Sequence, residues 1–166
     1  MKPVLVLLAC LLFALPASAQ EIALAVDGWN AETRADGVTY YRCAGKNCAQ
    51  GSVVSYKRQP HRPALTLAEY ERHHRGLAKN NSGQGSIREA QIADVGERAV
   101  EGVRVMHVTR VVEWTDKSVT YSIEARLIGP DRSYSLVSDS GKPEWTVNNY
   151  NGFLRRLVEI AGIRGN

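Results

Sequence analysis

Hydrophobic and polar residues alternate through the second half of the chain with the two-residue period of a β-strand. From Val119 to Ile128, apolar side chains occupy every second position and mostly polar ones lie between them. Val103 to Trp114 is a β-branched run, and the polar residues 115–118 between the two segments indicate a tight turn. We therefore expect a long antiparallel hairpin with one buried face, followed by another strand over residues 133–137.

Weaker β-type patterns precede this hairpin. Ile22 to Val26 is a short apolar segment, which we predict to be an edge strand before a loop over residues 29–37. Ser86 to Val95 alternates moderately and predicts another strand, whereas the polar residues 96–102 indicate a turn.

Two segments have the spacing of an amphipathic helix. Thr66 and Glu69 form the pattern of a capping box, which begins a helix that we predict to run to about Lys79. A second helix is predicted from Val147 to Ala161, with Thr146 as its N-cap. Its apolar stripe consists of Val147, Tyr150, Phe153, Leu154, Leu157, Val158 and Ile160.

Two cysteines lie close together between the β-rich segments 38–43 and 52–57. We predict a disulfide between Cys43 and Cys48, across a hairpin whose two-residue type II′ turn is Gly45-Lys46. Redox chemistry usually needs two intervening residues at the start of a helix, and here there are four. A zinc site would need two further ligands, for which the nearby candidates are His61, His73 and His74.

The predicted order of elements is β-β-β-α-β-β-β-β-α. Strands outnumber the helices that could cross between parallel strands, so we expect an α+β fold with a mostly antiparallel sheet and two packed helices.

This order resembles the PsbP/Mog1-like fold family. The resemblance rests on Gly28-Trp29, the helix from Thr66 to Lys79, the series of strands and the helix from Val147 to Ala161. It implies a small accessory, adaptor or chaperone-like protein that acts by binding, since members of that fold are rarely enzymes.

The first nineteen residues have the composition of a secretory signal peptide. Lys2 supplies the positive charge, residues 4–15 form an apolar run, and Ala17-Ser18-Ala19 is a small-residue cleavage site before Gln20. Cys10 offers a lipoprotein-type alternative, but it would leave a very short leader and an apolar tail on the mature chain. We therefore predict a signal peptide over residues 1–19 and a single α+β domain over residues 20–166, in a periplasmic or secreted location.

Charge and composition narrow the classes of partner only slightly. The chain has 166 residues, with 21 basic and 17 acidic side chains, and cleavage after Ala19 would remove one basic residue and leave 147 residues with a net charge of about +3. This mild charge does not indicate nucleic acid, and no nucleic-acid module is present in the sequence. We predict no cofactor and no transmembrane segment in the mature chain.

Positive charge is concentrated between residues 57 and 79. Arg58, Arg62, Arg72 and Arg75 are the candidate binding residues, forming a basic face for an anionic partner if the connector and the helix bring them together. The competing interpretation is a solvated helix face beside a polar connector. His74 falls on the apolar stripe of the helix, where we expect it to be packed.

No catalytic signature and no metal site stand out, so we predict neither. His107 lies within a strand, where a half-buried histidine with a hydrogen-bond partner is the common situation. The leading hypothesis is an exported, non-enzymatic accessory or binding protein of the bacterial envelope, whose partner is a protein or an anionic envelope component. The alternative is a small periplasmic hydrolase or isomerase that uses His107 with a carboxylate from a neighbouring strand.

Export and oxidation together predict the mass of the secreted protein. We expect the intact protein recovered from the periplasm to begin at Gln20 and to be two hydrogens lighter than the reduced chain, because Cys43 and Cys48 would be joined. Intact-mass spectrometry before and after reduction measures both features. Two free thiols would contradict the disulfide, and a mass that retains residues 1–19 would contradict cleavage.

Overall fold

The computed structural model describes residues 24–160, and within them the chain forms one seven-stranded sheet and two helices. The elements are β1 (Trp29–Thr33), β2 (Thr39–Cys43), β3 (Val53–Gln59), α1 (Leu67–Asn81), β4 (Ile87–Val100), β5 (Val103–Trp114), β6 (Val119–Ile128), β7 (Ser133–Ser140) and α2 (Pro143–Ile160). Each strand pairs antiparallel with its neighbours in the order β1-β2-β3-β7-β6-β5-β4. The predicted α+β class and the order of the elements are confirmed. The predicted signal peptide lies outside the described residues.

The first face of the sheet carries the main core, and α2 packs on it. Alternate residues of the central strands, such as Ile123 and Leu127 of β6, are buried against Phe153, Leu154 and Leu157 of α2. Because successive side chains of a strand point to opposite faces, the polar residues between them face the other side.

The second face is covered only in part. Tyr70 and Ala78 of α1 pack against Met106, Val108 and Val112 of β5 and against β4. Over β7 and β3 this face has no helix among the described residues, since α2 lies on the first face. The second face therefore has a covered part under α1 and an open part beside it.

The N-terminus of α1 forms as predicted. The Glu69 N–H donates to Thr66 Oγ1, and the Thr66 N–H donates to Glu69 Oε2 at 2.9 Å, which completes the capping box. The helix continues to Asn81, two residues beyond the predicted end, and Ser82 follows it.

Two arginines of the sheet hold the connector that leads into α1. Arg126 on β6 donates from Nη2 to the carbonyl of Pro60 at 3.0 Å. Arg104 on β5 donates from Nη1 to the carbonyl of Leu65 at 2.8 Å and forms a two-bond ion pair with Glu97. The start of α1 is thereby fixed against the second face.

The predicted disulfide between Cys43 and Cys48 is present, with the Cα atoms 5.8 Å apart, but the predicted two-residue turn is wrong. β2 ends at Cys43, and β3 begins only at Val53, so the disulfide closes part of a longer loop. Gly45 does not form a hairpin turn because it packs against Gly28, where a Cβ on Gly45 would lie 2.7 Å from the Gly28 Cα. The N–H of Gly45 donates to the carbonyl of Gly28, which ties this loop to the segment before β1.

Several predicted strand limits are also wrong. The first strand is Trp29–Thr33, inside the predicted loop, whereas residues 24–26 form no strand and residues 22–23 lie outside the described part. β4 extends to Val100, and the two-residue turn Glu101-Gly102 has positive φ at both positions. β1 and β4 are the edge strands of the sheet, and their exposed polar side chains resemble those of a loop. β7 also extends past residue 137, to Ser140.

α2 begins earlier than predicted. Pro143 occupies its first turn, where the missing N–H removes no helical hydrogen bond, and the Lys142 carbonyl accepts from the Thr146 N–H. Thr146 is not the N-cap, because its hydroxyl donates to the carbonyls of Lys142 and Tyr121. Val147 does not belong to the buried stripe, as it is 44% exposed.

Leu157 provides a test of how firmly α2 is held on the sheet. It is 1% exposed, and replacing it with alanine should lower the free energy of unfolding by about 2–5 kcal/mol through lost burial and a residual cavity. Val147→Ala on the same helix is the matched control and should change stability by less than about 0.5 kcal/mol. Urea denaturation measures both values, and similar small effects for both would contradict the docking of α2.

Candidate functional site

A cleft lies on the second face of the sheet, between α1, the connector before it and the strands β6, β7 and β3. We call it the α1 cleft. It has a volume of about 400 Å³ and is lined by eleven residues, among them Arg62, Glu69, His73, His74, Glu124 and Arg126. Clefts of this size accommodate small molecules or a side chain of a partner.

His74 is the most buried of these polar residues. Only 2% of it is exposed, and its Nδ1 has no hydrogen-bond partner among the described residues. The Tyr70 ring lies 4.3 Å away between ring centres. Burial lowers the pKa of His74 to about 4, with further lowering by His73 and Arg110, so the imidazole is neutral at neutral pH.

Glu124 lies beside His74 on the floor of the cleft. Its Oε2 is 3.8 Å from His74 Nδ1, which is too far for a hydrogen bond. Burial raises the pKa of the Glu124 carboxyl, while Arg110 acts in the opposite direction. Within residues 24–160, the carboxylate accepts no hydrogen bond, so much of its hydrogen-bonding capacity is unused.

Arg126 lies two residues further along β6 on the same face. Its Nη2 is engaged by Pro60, but its Nε is buried and has no partner in the described part of the chain. Burial lowers the pKa of the guanidinium, and the charge of Arg62 lowers it further. Unpaired buried polar groups each cost about 1–3 kcal/mol, so the cleft concentrates groups that a ligand would satisfy.

A smaller cavity of about 210 Å³ continues along the same face toward the end of α1. Arg110 and Asp139 are its charged lining residues, with Ser122 between them. Burial raises the pKa of the Asp139 carboxyl, and the nearby Arg110 lowers it. The described part of the second face therefore carries alternating positive and negative groups from β5 across to β7.

The four arginines predicted to form a basic face are not all in one place. Arg62 lines the cleft. The hydrogen bonds from Thr66 lower the pKa of Glu69 most, and the charges of Arg62 and Arg72 lower it further. Arg75 is paired with Glu71 at 2.7 Å, one turn further along the helix. Arg58 on β3 pairs with Tyr134 on β7, whose side chain belongs to the main core. Arg58 therefore lies on the first face of the sheet, away from the cleft.

His107 has a structural environment away from the cleft. Its Nε2 lies 3.2 Å from Asp94 Oδ2, and its ring covers Gly96, where a Cβ would lie 2.6 Å from Cε1. The other ring nitrogen, Nδ1, is buried and has no partner in residues 24–160. A catalytic base needs a nitrogen that substrate can reach, and neither nitrogen of His107 is free and accessible in this way.

The described residues hold no group of three or more histidine, cysteine, aspartate or glutamate side chains arranged for a metal ion. The two cysteines are joined to each other, so neither supplies a thiolate to zinc. Between residues 24 and 160, neither helix has the length and apolar character needed to cross a bilayer.

The sequence interpretation missed Glu124 and Arg126. It placed them on the polar side of β6, which a simple hairpin would expose to solvent. The signal that identifies them is the apolar stripe of α1, because Tyr70 and His74 must pack against a sheet face and the core of the first face is already filled by α2.

Comparison with known proteins establishes the fold. The chain is similar to the solution structure of cyanobacterial PsbP (CyanoP) from Synechocystis sp. PCC 6803, with 14% identity over 74% of this chain and 75% of that one, at a TM-score of 0.54. A STAR-related lipid transfer protein fragment from Xanthomonas axonopodis matches with 10% identity over 74% of this chain and 89% of that one, but the TM-score of 0.37 is too low to support a conclusion. No family model and no curated protein matches the sequence. The predicted PsbP-like fold is thus confirmed.

The buried imidazole should make stability depend on pH. His74 binds a proton more weakly in the folded chain than in the unfolded chain, so its contribution is complete above pH 6.5 and is lost as the pH falls toward about 4. Between pH 6.5 and 4, the His74→Phe variant should therefore lose less unfolding free energy than the original protein, by on the order of 2 kcal/mol. Urea denaturation at several pH values measures the slope.

The control for this variant is the adjacent, exposed residue. His73→Phe should retain most of the slope, because the His74 ring stays between Tyr70, Glu124 and Arg110. The Glu124 and Asp139 carboxyls have raised pKa values. They therefore contribute a pH dependence of stability with the opposite sign in the original protein and in both variants. An unchanged slope in His74→Phe would contradict the assignment.

Proposed function

We propose that the protein is an exported, non-enzymatic binding or accessory protein of the bacterial envelope, and that the α1 cleft is its binding site. The observation that carries this proposal is a cleft of about 400 Å³ whose floor holds His74, Glu124 and Arg126 with hydrogen-bonding capacity unused by the described residues. Such groups are normally satisfied, so their concentration in one cleft favours a bound partner.

Two features support export. The first nineteen residues have the composition of a signal peptide, and a disulfide joins Cys43 and Cys48. Structural disulfides form and persist mainly in oxidising compartments, of which the bacterial periplasm is one. The PsbP-like fold supports a binding role by analogy alone.

The rim of the cleft indicates the chemistry of the partner. Arg62 lines the cleft, and Arg72 is near enough for its charge to act on Glu69, whose carboxylate is already engaged by Thr66. Their positive charge is therefore available to anionic groups of an envelope component or of a partner protein. Arg75 contributes less, because Glu71 partly neutralises it.

The enzymatic alternative receives no support from this geometry. A hydrolase or isomerase using His107 would need the Asp94 carboxylate to orient one ring nitrogen while the other reaches a substrate. The Asp94 contact exists, but the remaining nitrogen of His107 is buried.

Charge reversal at the rim tests the binding proposal. Arg62→Glu with Arg72→Glu should weaken binding to phosphatidylglycerol vesicles, or cross-linking to an envelope protein in the periplasm, by about tenfold or more at low salt, with a smaller effect at physiological salt. Vesicle co-sedimentation and periplasmic cross-linking are the two measurements.

The matched control places the same change of charge elsewhere. Arg58→Glu with Arg155→Glu alters the first face of the sheet and the exposed side of α2, and it should leave both measurements nearly unchanged. If both double variants lose binding equally, the loss comes from the change in net charge and not from the position of the substituted arginines. No loss in either assay, with the fold intact, would overturn the assignment of the rim.

A further inference from the structure

We infer that the α1 cleft binds a small zwitterion, a molecule that carries an amine and an anionic group on one short chain. This inference rests on the proposed binding role of the cleft and concerns the floor of the cleft, below the basic rim that Arg62 and Arg72 form. It comes from the placement of Glu124 and Arg126, which have opposite charges and are separated by one residue on the same face of β6.

The two side chains define two neighbouring subsites. Residues two apart on a strand lie roughly 6.5–7 Å apart along it. The backbone positions of Glu124 and Arg126 are therefore neighbours on the floor of the cleft. In the described structure they form no ion pair with each other, although both line the same cleft. A ligand with both charges would contact each group and span the gap between them.

Each subsite has hydrogen-bonding capacity to offer. At the negative end, the Glu124 carboxylate accepts no hydrogen bond from residues 24–160. The His74 imidazole 3.8 Å away is neutral, and Arg110 acts on the carboxylate only through its charge. At the positive end, Arg126 Nε is buried without a partner in the same range, and Arg62 stands at the edge of the cleft. An ammonium fits the first subsite, and a carboxylate fits the second.

The balance of charge disfavours an ion of one sign. Apart from the histidines, the charged residues that line the cleft are Arg62 and Arg126 against Glu69 and Glu124. A purely anionic ligand would be placed beside the half-buried Glu124 carboxylate, and a purely cationic ligand beside the Arg126 guanidinium. Either arrangement places like charges together in a poorly solvated site, whereas a zwitterion leaves the cleft neutral.

The 98% burial of His74 is an independent observation that points to a ligand. His74 lines the cleft with Glu124, and its Nδ1 is buried without a partner in the described residues, so a polar group held at the negative subsite would lie beside an unsatisfied nitrogen. Leu65 and Tyr70 supply apolar walls for the short chain that joins the two charges. The volume of about 400 Å³ suits a molecule of this size.

The test uses ω-amino acids as probes. The full protein, purified after export by its own N-terminus, is titrated with glycine, 4-aminobutanoate and 6-aminohexanoate, and with butyrate and butylamine as single-charge analogues. We expect at least one of the longer amino acids to bind about tenfold more tightly than either analogue, a difference of about 1.4 kcal/mol. Chemical-shift changes in ¹⁵N-labelled protein should centre on His74, Glu124 and Arg126.

Glu124→Gln is the informative variant, because it keeps the shape of the side chain and removes its charge. It should lower the affinity for the amino acid to that for butyrate. Glu32→Gln makes the same chemical change at an exposed position of the edge strand β1, away from the cleft, and should leave the affinity unchanged.

The remaining outcomes overturn the inference in distinct ways. If butyrate binds as tightly as the amino acids, and Glu124→Gln strengthens it, the cleft is an anion site. If no probe binds to natively folded protein, the cleft holds no small zwitterion. In both cases, the effect of the Arg62 and Arg72 substitutions on envelope binding is measured separately. That measurement alone tests the proposed function.

Discussion

The strict alternation of side chains along β6 is the constraint on which the rest of the structure depends. Ile123, Ala125 and Leu127 face α2 and are buried in the main core, so the residues between them must face the other way. A sheet of seven strands is too wide for α1 to cover that second face completely. Polar groups are therefore half-buried at the border of α1, and this border is the α1 cleft.

The cleft also depends on how α1 is attached. Arg104 and Arg126 donate to carbonyls of the connector, so the arginine that shapes the floor of the cleft also fixes its wall. In Arg126, Nη2 makes this contact, whereas Nε has no partner within residues 24–160. Binding and stability thus share a residue, and substitutions of Arg126 would mix the two effects, which substitutions of Glu124 avoid.

Local patterns predicted much of the fold. The limits of β5 and β6, the capping box of α1 and the pairing of Cys43 with Cys48 all depend on residues close together in sequence. The polar edge strands were misread because their stability comes from pairing and not from composition. The Gly45 turn was wrong because Gly28, seventeen residues earlier, occupies the space beside it. The cleft could not be predicted, since it depends on which strands α1 covers.

The pairing of β3 with β7 has a consequence for the order in which the chain folds. The strands β4 to β7 follow one another through short turns, and each pairs with its predecessor, so their contacts are local and form early. The unit of β1, β2 and β3 joins the sheet only through β7, the last strand to be synthesised. During synthesis of the chain, this N-terminal unit emerges first and stays without its partner strand β7 until the rest of the sheet has been made, with the edge of β3 unprotected. The crosslinked loop between β2 and β3, bonded to Gly28, keeps those three strands in register during the delay.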